Sequence, residues 1–402
     1  MTVTAARAAT PPSARLIVPA LGVTQIMAWG SSYYLPAVLA RPIADDTGWS
    51  FAWVVGALSI GLLVAGLVSP YVGRQIHRHG GRPILIVSAL LLATGQAGLA
   101  LAPNLPVFIA AWVVIGFGMS AGLYDAAFST LGRTYGQAAR RHITTLTLFG
   151  GLASTICWPL SAFFVQELGW RGACAAYAAI QVTLSLSIYL FALPREHRNG
   201  DETERREASQ TGAIPDKLRS IFALLAATIT IAPVISTVIS VHLLTILQAR
   251  DITLAAAVAL GAMVGPSQVG ARFIEMLIAR YHHPIWTKLA SVSFVALGLG
   301  LLWAHFPLTG LTLVFYGAGI GLESIARATL PLVLFGAGQY APIMGKLARP
   351  SLIAQAAAPS IGAALIQWFG MDNALGVIVA IAVLNVLLAL VLFAVQQKTV
   401  RS

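Results

Sequence analysis

Charged residues are scarce in this chain. Of its 402 residues, 10% are Asp, Glu, Lys or Arg, whereas 57% are hydrophobic. A soluble domain has about 25% charged residues, and a mean hydropathy of +0.80 would leave a soluble fold with more apolar surface than a core can cover. The composition therefore excludes an ordinary soluble protein and indicates a polytopic membrane protein.

Acidic residues are especially few, at 14 Asp and Glu against 25 Lys and Arg, which gives a net charge of +11. A nucleic-acid site would need a basic face on a folded, soluble surface. Here the basic residues stand singly or in short groups between apolar runs, which is typical of cytoplasmic loops. The excess charge therefore indicates a lipid bilayer as the partner and excludes nucleic acid.

Cysteines and catalytic motifs are also few. Cys157 and Cys174 lie within apolar segments, where they are predicted to pack rather than to bind metal or form a disulfide. Residues 118–122, "GMSAG", match the hydrolase pattern G-x-S-x-G, but they fall within an apolar helix, where paired glycines indicate close helix packing. No other catalytic or metal motif is present. We expect no enzyme activity, cofactor or metal, and a membrane enzyme is a remote alternative.

Long apolar runs make up most of the chain. Segments of about 20 apolar residues predict membrane-spanning helices, and each must be helical because lipid leaves no other partner for its backbone. The predicted spans number twelve and are 16–40, 51–72, 83–102, 106–131, 143–166, 172–193, 219–247, 253–279, 285–304, 308–335, 347–369 and 373–396.

The loop charges orient these spans. With the N-terminus in the cytoplasm, twenty Lys and Arg lie inside and three outside, which predicts an inner (plasma) membrane protein with both termini cytoplasmic. A charged linker divides the chain into two sets of six spans. The predicted domains are a tail at 1–15, a bundle at 16–193, the linker at 194–218, a second bundle at 219–396 and a tail at 397–402.

The two halves share sequence features at a near-constant offset. Spans five and eleven share a proline, a glutamine and a glycine, and spans four and ten share a glycine. The pairs are Pro159 and Pro359, Gln166 and Gln367, Gly169 and Gly370, and Gly116 and Gly317. Such a repeat predicts two pseudo-symmetric six-helix bundles with solute bound between them at mid-depth.

The loop between spans two and three, "GRQIHRHGGR" (73–82), resembles the loop signature of the major facilitator superfamily, with His77 where the family usually has an aspartate. The resemblance implies an all-α fold of twelve transmembrane helices and secondary transport by alternating access. It also implies a cytoplasmic gate, in which we expect Asp125 to pair with Arg78. A plain topogenic role for the basic loop is the alternative.

A second gate network is expected in the C-terminal half, where Glu275 would pair with Arg327, and Glu323 with Arg272. Glu323 and Arg327 are spaced i, i+4 and can share a helix face. The full set of predicted gate or coupling residues is Gly73, Arg74, Arg78, Arg82, Asp125, Glu275, Glu323 and Arg327.

The stretch "TGWSFAWVVGALSIGLLVAGLVSPYVGR" is similar to the monocarboxylate and oxalate–formate porters. That resemblance implies that Arg272 on span eight meets a substrate carboxylate, with a role in the gate as the alternative. Span eleven has Gln355 and lacks the lysine of oxalate exchangers, which favours a monoanion. Trp112 stands where drug–proton antiporters have an arginine, which counts against a typical drug antiporter. Proton-driven export of drugs or other amphipathic organic compounds is the alternative function.

The spans that line the cavity in this family carry aromatic and amide side chains, which suit a small organic solute. The predicted substrate-binding residues are Gln25, Trp29, Tyr33, Tyr34, Trp158, His242, Arg272 and Gln355. His242 is either a proton carrier or a neutral ring bonded to a neighbour, and Glu323 is the rival proton carrier. We expect a monomer that binds a small organic solute, with or without protons.

Overall fold

The computed structural model describes residues 13–194 and 216–401. Most of the predicted N-terminal tail (1–15) and most of the predicted linker (194–218) lie outside these residues. The described chain is helical almost throughout, as the apolar runs predict.

Within the described residues, seven helical stretches are long and apolar enough to cross a membrane. Two of them contain several crossings, because the 61 residues of Thr309–Phe369 would measure about 90 Å as one helix, against a bilayer core of about 30 Å. Gly336 (φ 75°, ψ 162°) turns the chain between spans ten and eleven. Spans one, four, five and eight are each interrupted by a short break, and with the unbroken segments they make up the twelve spans of the fold.

The N-terminal half contains spans one to six. Its α-helices are Ala14–Gly30 and Leu35–Thr47 (span one), Phe51–His79 (span two), Gly81–Leu101 (span three), Leu105–Gly122 and Tyr124–Tyr135 (span four), Ala139–Gly151 and Ala153–Ile180 (span five and the start of span six), and Ser187–Phe191 (end of span six). A π-helical segment, Gln181–Leu186, joins the two parts of span six.

The C-terminal half contains spans seven to twelve. Its α-helices are Asp216–Gln248 (span seven), Leu254–Gly261 and Val264–Ile278 (span eight), Pro284–Trp303 (span nine), Thr309–Phe369 (spans ten and eleven) and Met371–Arg401 (span twelve).

The predicted pseudo-symmetry extends to individual hydrogen bonds. In the N-terminal half Ser88 Oγ donates to Gly118 O at 2.8 Å, and in the C-terminal half Ser291 Oγ donates to Gly319 O at 2.9 Å. Each bond ties the third span of its half to the fourth. The two halves therefore repeat the same packing register.

Breaks in spans one and four are held by buried glutamines. Ser31–Tyr34 interrupt span one, and Gln96 Nε2 donates to the Ser31 carbonyl that the break frees. Gln25 Nε2 donates to Gly122 O at 2.6 Å, where span four is interrupted. Because lipid offers no hydrogen bonds, broken spans persist only where protein groups satisfy the backbone.

The halves meet at one end of the bundle, which we call the basic end because the basic segments 73–82, 133–141 and 280–283 lie there. Ser69 Oγ on span two donates to Gly345 O on span eleven at 3.0 Å. Arg140 Nη2 donates to His282 O at 2.9 Å, again between the halves. At the opposite end, Trp170 Nε1 bonds Asp46 Oδ2 within the N-terminal half.

Candidate functional site

The loop that carries the signature forms a tight reversal at the basic end. Gly80 (φ 82°) ends span two, which only glycine does without strain. Arg82 donates to the carbonyls of Tyr189 and Leu190 at the end of span six, at 3.2 and 2.6 Å, as a cation at a helix C-terminus should. A Cβ on Gly73 would press on the backbone of span eleven, so this glycine lets the halves approach closely.

Asp125 forms an ion pair across the halves. Its Oδ2 lies 2.9 Å from Arg327 Nη2, and both side chains are about one-fifth exposed, at 20% and 19%. The predicted partner, Arg78, was wrong: it lies exposed on the last turns of span two, as Arg74 does. The sequence suggested a partner in the same half, whereas the fold brings spans four and ten together at the basic end.

The two predicted pairs in the C-terminal half were also wrong. Glu275 accepts a hydrogen bond from Thr287 Oγ1 at 2.7 Å and lies 3.4 Å from His282 Nε2. Glu323 pairs with Lys288, at 2.5 Å between Oε1 and Nζ. Both carboxylates thus face span nine and the loop before it, whereas the sequence-based prediction paired each of them with an arginine.

Lys288 is a charged residue that sequence reasoning missed. It is one of the twenty Lys and Arg that the charge count places on the cytoplasmic side, yet its side chain is fully buried on span nine. Its Nζ also donates to Thr228 O at 3.3 Å. The signal for burial was its position inside the apolar run that begins at Pro284, four residues before it.

Four of the predicted substrate-binding residues form an aromatic cluster with Tyr124. Trp29 lies at its centre, with ring centroids 5.4 Å from Tyr33, 6.0 Å from Tyr34 and 5.1 Å from Tyr124. Tyr34 meets Trp158 edge-on at 6.2 Å. We use the name aromatic cluster for these five residues. They join spans one, four and five at the level of the break in span one.

Tyr33 connects the aromatic cluster to the other half. Gln355 Nε2 on span eleven donates to Tyr33 Oη at 3.4 Å and to Thr237 Oγ1 on span seven at 3.1 Å. Two predicted substrate-binding residues, Tyr33 and Gln355, are thus in contact across the boundary between halves. Thr237 was not identified from the sequence, because a threonine in an apolar helix carries no functional signal.

Arg272 is the buried cation of this region, with 6% of its surface exposed. Its Nε, Nη1 and Nη2 donate to Gly321 O (3.3 Å), Thr147 O (3.2 Å) and Gln268 Oε1 (3.4 Å). All three acceptors are neutral. Across residues 13–194 and 216–401, no carboxylate lies within ion-pair distance of Arg272.

The guanidinium of Arg272 borders the aromatic cluster. Tyr124 Oη also donates to Thr147 O, at 3.4 Å, so the phenol and the guanidinium share one acceptor. A Cβ on Gly151 would collide with Arg272 Nη1, and this glycine therefore makes room for the cation on the N-terminal half. The site combines one positive charge with aromatic walls between the halves.

Gln25 and His242 lie apart from this site. Gln25 is fully buried inside the N-terminal half, where its amide holds the break in span four. His242 Nε2 lies 3.4 Å from Pro359 O, against span eleven of its own half. Its bond to a neighbour corresponds to the second of the two alternatives that the sequence left open for this histidine.

The sequence matches the model of the Major Facilitator Superfamily over residues 21–347. The chain therefore belongs to the Major Facilitator Superfamily. No curated protein matches the sequence. Together with solved structures of similar fold, this membership makes the chain a multi-pass membrane protein and a secondary transporter, not an enzyme.

Several solved structures share the fold at low sequence identity. The human organic anion transporter MFSD10 (TETRAN) is 15% identical with a TM-score of 0.73, covering 94% of this chain and 100% of its own. The proton:xylose symporter XylE, bound to 6-bromo-6-deoxy-D-glucose, is 12% identical with a TM-score of 0.71, covering 93% and 94%. FucP, in the outward conformation, is 14% identical with a TM-score of 0.70, covering 94% and 99%.

Proposed function

We propose that this transporter carries a small organic monoanion, such as a monocarboxylate, across the inner membrane as a monomer. The observation that carries the proposal is Arg272, a buried guanidinium bonded to three neutral oxygens. A buried charge without a counter-ion is costly. An anionic solute that exchanged these oxygens for its carboxylate would supply the missing charge in a bidentate geometry.

The aromatic cluster would hold the organic part of the solute. Ring faces and edges give apolar contact, while the Tyr33 hydroxyl and the Gln355 amide offer polar contact. A monoanion is favoured over a dianion because Lys288, the other buried cation near span eight, already has a carboxylate partner in Glu323. Co-transport of a proton would let the monoanion cross without net charge.

The structure has the form expected of one end state of alternating access. The bonds between halves described above lie at the basic end or at mid-depth. If the basic loops face the cytoplasm, as their charge predicts, this state is closed to the cytoplasm. Solute would then enter from the opposite end, and rocking of the halves about Arg272 would release it at the basic end.

The proposal is tested by ligand-dependent thermal unfolding of the purified protein. Acetate, lactate and benzoate are expected to raise the unfolding temperature, with smaller effects from succinate, neutral amides and amphipathic cations. In Arg272→Gln the affinity for monocarboxylates should fall roughly 10- to 100-fold, the loss expected for hydrogen bonds to a charged group. Arg280→Gln, an exposed arginine at the basic end, is the matched control.

Normal monocarboxylate affinity in Arg272→Gln would contradict the proposal. Stabilisation by amphipathic cations, with no effect of carboxylates, would support the alternative of a drug exporter.

A second variant tests the position of the guanidinium without removing its charge. Gly151→Ala places a methyl group where Arg272 Nη1 lies, so the side chain must move. We expect a loss of monocarboxylate affinity of roughly tenfold, because the displaced guanidinium would lose one hydrogen bond to the carboxylate, worth about 1.5 kcal/mol. Gly270→Ala is the control, because its methyl group would meet no atom within 4 Å. Equal affinities in the two variants would count against an anion held by Arg272 in this geometry.

A further inference from the structure

The ion pair of Lys288 and Glu323 is buried inside the C-terminal half. Lys288 is fully buried, and the Glu323 side chain is 13% exposed. Ser291 Oγ lies 2.9 Å from the second carboxylate oxygen of Glu323, so its single hydroxyl proton is shared between this oxygen and Gly319 O. The lysine reaches Thr228 O. The free energy needed to remove two charges from water offsets much of their mutual attraction, so such a pair contributes little to stability.

The N-terminal half builds the same packing without charges. Leu85 precedes the serine of the matching Ser88 bond by three residues, as Lys288 precedes Ser291. Gly122 likewise stands at the position of Glu323. Leu85 and Gly122 are both buried. The fold therefore accommodates an apolar pair at this position. Packing alone does not explain why the C-terminal half has a charged pair here, so we look for a function of these charges.

The ion pair between halves lies next to this one. Arg327 follows Glu323 by one helical turn, so the two side chains share a face of span ten. Lys288 bonds Glu323 on that face, which brings both cations to the same part of span ten. In this state Asp125 supplies the second carboxylate, and two cations face two anions. The group as a whole is neutral.

Opening of the basic end would change this balance. Asp125 moves away with the N-terminal half, and Arg327 and Lys288 are left with one carboxylate, that of Glu323. The site then has one positive charge in excess in an apolar setting, which is unfavourable. An arginine keeps its proton under all ordinary conditions, whereas a lysine can lose one. The charge is removed when the Lys288 ammonium gives a proton to the water that enters.

We propose that Lys288 carries the proton in the transport cycle. Its Nζ holds the proton while Asp125 neutralises Arg327, and releases it when the basic end opens and Arg327 turns to Glu323. If the basic end faces the cytoplasm, protons are bound in the outward-facing state and released inside, as symport requires. The inference rests on the alternating access of the proposed function but not on the identity of the solute.

Other titratable groups surround Lys288. Two of them are Glu323 on span ten and Asp125 on span four. A third, Glu275 on span eight, accepts a hydrogen bond from Thr287, the residue before Lys288. His282 lies beside Glu275. His283 accepts from Ile285 N, and burial, with Arg140 and His282 nearby, lowers its pKa, so it is neutral near pH 7. A test must therefore separate Lys288 from these groups.

The test measures conformation without any solute. Spin labels are attached at Gln137→Cys and Tyr281→Cys, two exposed basic-end positions in different halves. Cys157 and Cys174 are fully buried and stay unlabelled. Distances are measured in lipid nanodiscs by double electron–electron resonance at about pH 5 and about pH 9, because higher pH favours the state from which Lys288 has released its proton. The ratio of open to closed protein should rise about tenfold or more at the higher pH.

Three variants identify the group that titrates. Lys288→Leu, which copies Leu85, should favour the open state and lose the response to pH. Lys288→Arg, with a fixed charge, should stay closed at both pH values. Lys398→Leu removes an exposed lysine and should respond like the parent protein.

A parent protein without a pH response would overturn the proposal, as would a full response in Lys288→Leu or, should that variant not fold, in Lys288→Arg. The anion proposal is judged separately, by the binding assays on Arg272→Gln. Loss of the pH response in Lys288→Leu with normal binding of monocarboxylates would support both proposals. Loss of the response without any monocarboxylate binding would leave the proton proposal supported and the anion proposal contradicted.

Discussion

Asp125→Asn is expected to open the basic end of the protein. The substitution removes the carboxylate that joins Arg327 to the N-terminal half at 2.9 Å. Loss of one partner from a largely buried ion pair costs the closed state about 2 kcal/mol or more, which corresponds to a shift of roughly 30-fold toward open protein. The open state does not depend on this pair, so the whole loss appears as a change in population.

Cysteine labelling measures this shift. Ser69 is 4% exposed and bonds Gly345 O across the halves, so a maleimide reaches Ser69→Cys only after opening. Labelling should be roughly 30-fold faster with Asp125→Asn than without it. Asp45→Asn is the matched control, because Asp45 forms an exposed ion pair with Arg41 within one helix. The exchanged pair Asp125→Arg with Arg327→Asp should restore slow labelling. Equal labelling rates with and without Asp125→Asn would show that this ion pair does not hold the basic end closed.

The sequence predicts the order and number of spans because each span is a long run of apolar residues that is visible along the chain. Each run must be helical, since in lipid a segment has to satisfy its own backbone. It does not predict where a span breaks. The break after Ser31 depends on Gln96, 65 residues away, which bonds the freed carbonyl. A contact so distant along the chain leaves no local pattern. Spans one, four, five and eight were therefore predicted as continuous helices, whereas each is interrupted.

The candidate site was likewise predictable from the sequence only in part. Residue types identified Arg272 and most of the aromatic cluster, because a cation or a group of aromatic rings at mid-depth in a membrane is unusual by itself. The ion-pair partners were not predictable, since pairs such as Asp125 and Arg327 join spans 202 residues apart. Lys288 was counted among the cations on the cytoplasmic side because charge is counted along the chain, and a lysine just inside a span looks the same as one outside it.

Glu323→Gln is expected to be strongly destabilising. It leaves the fully buried Lys288 with Thr228 O and a neutral amide, and breaking a buried pair in this way costs about 3–5 kcal/mol. Denaturant unfolding in detergent micelles measures the loss. Glu167→Gln, at an exposed glutamate, should change the free energy of unfolding by no more than about 0.5 kcal/mol.

The double variant Lys288→Leu with Glu323→Gln separates stability from coupling. It removes both charges and places at position 288 the leucine that the N-terminal half has at the equivalent position. Most of the stability that Glu323→Gln alone loses should therefore return. Replacing a buried ion pair by apolar groups is often neutral or stabilising. The same protein should have lost the response of its basic end to pH. If the double variant were as unstable as Glu323→Gln alone, the pair would be required by the packing of the C-terminal half, and the reason for assigning it to proton coupling would be gone.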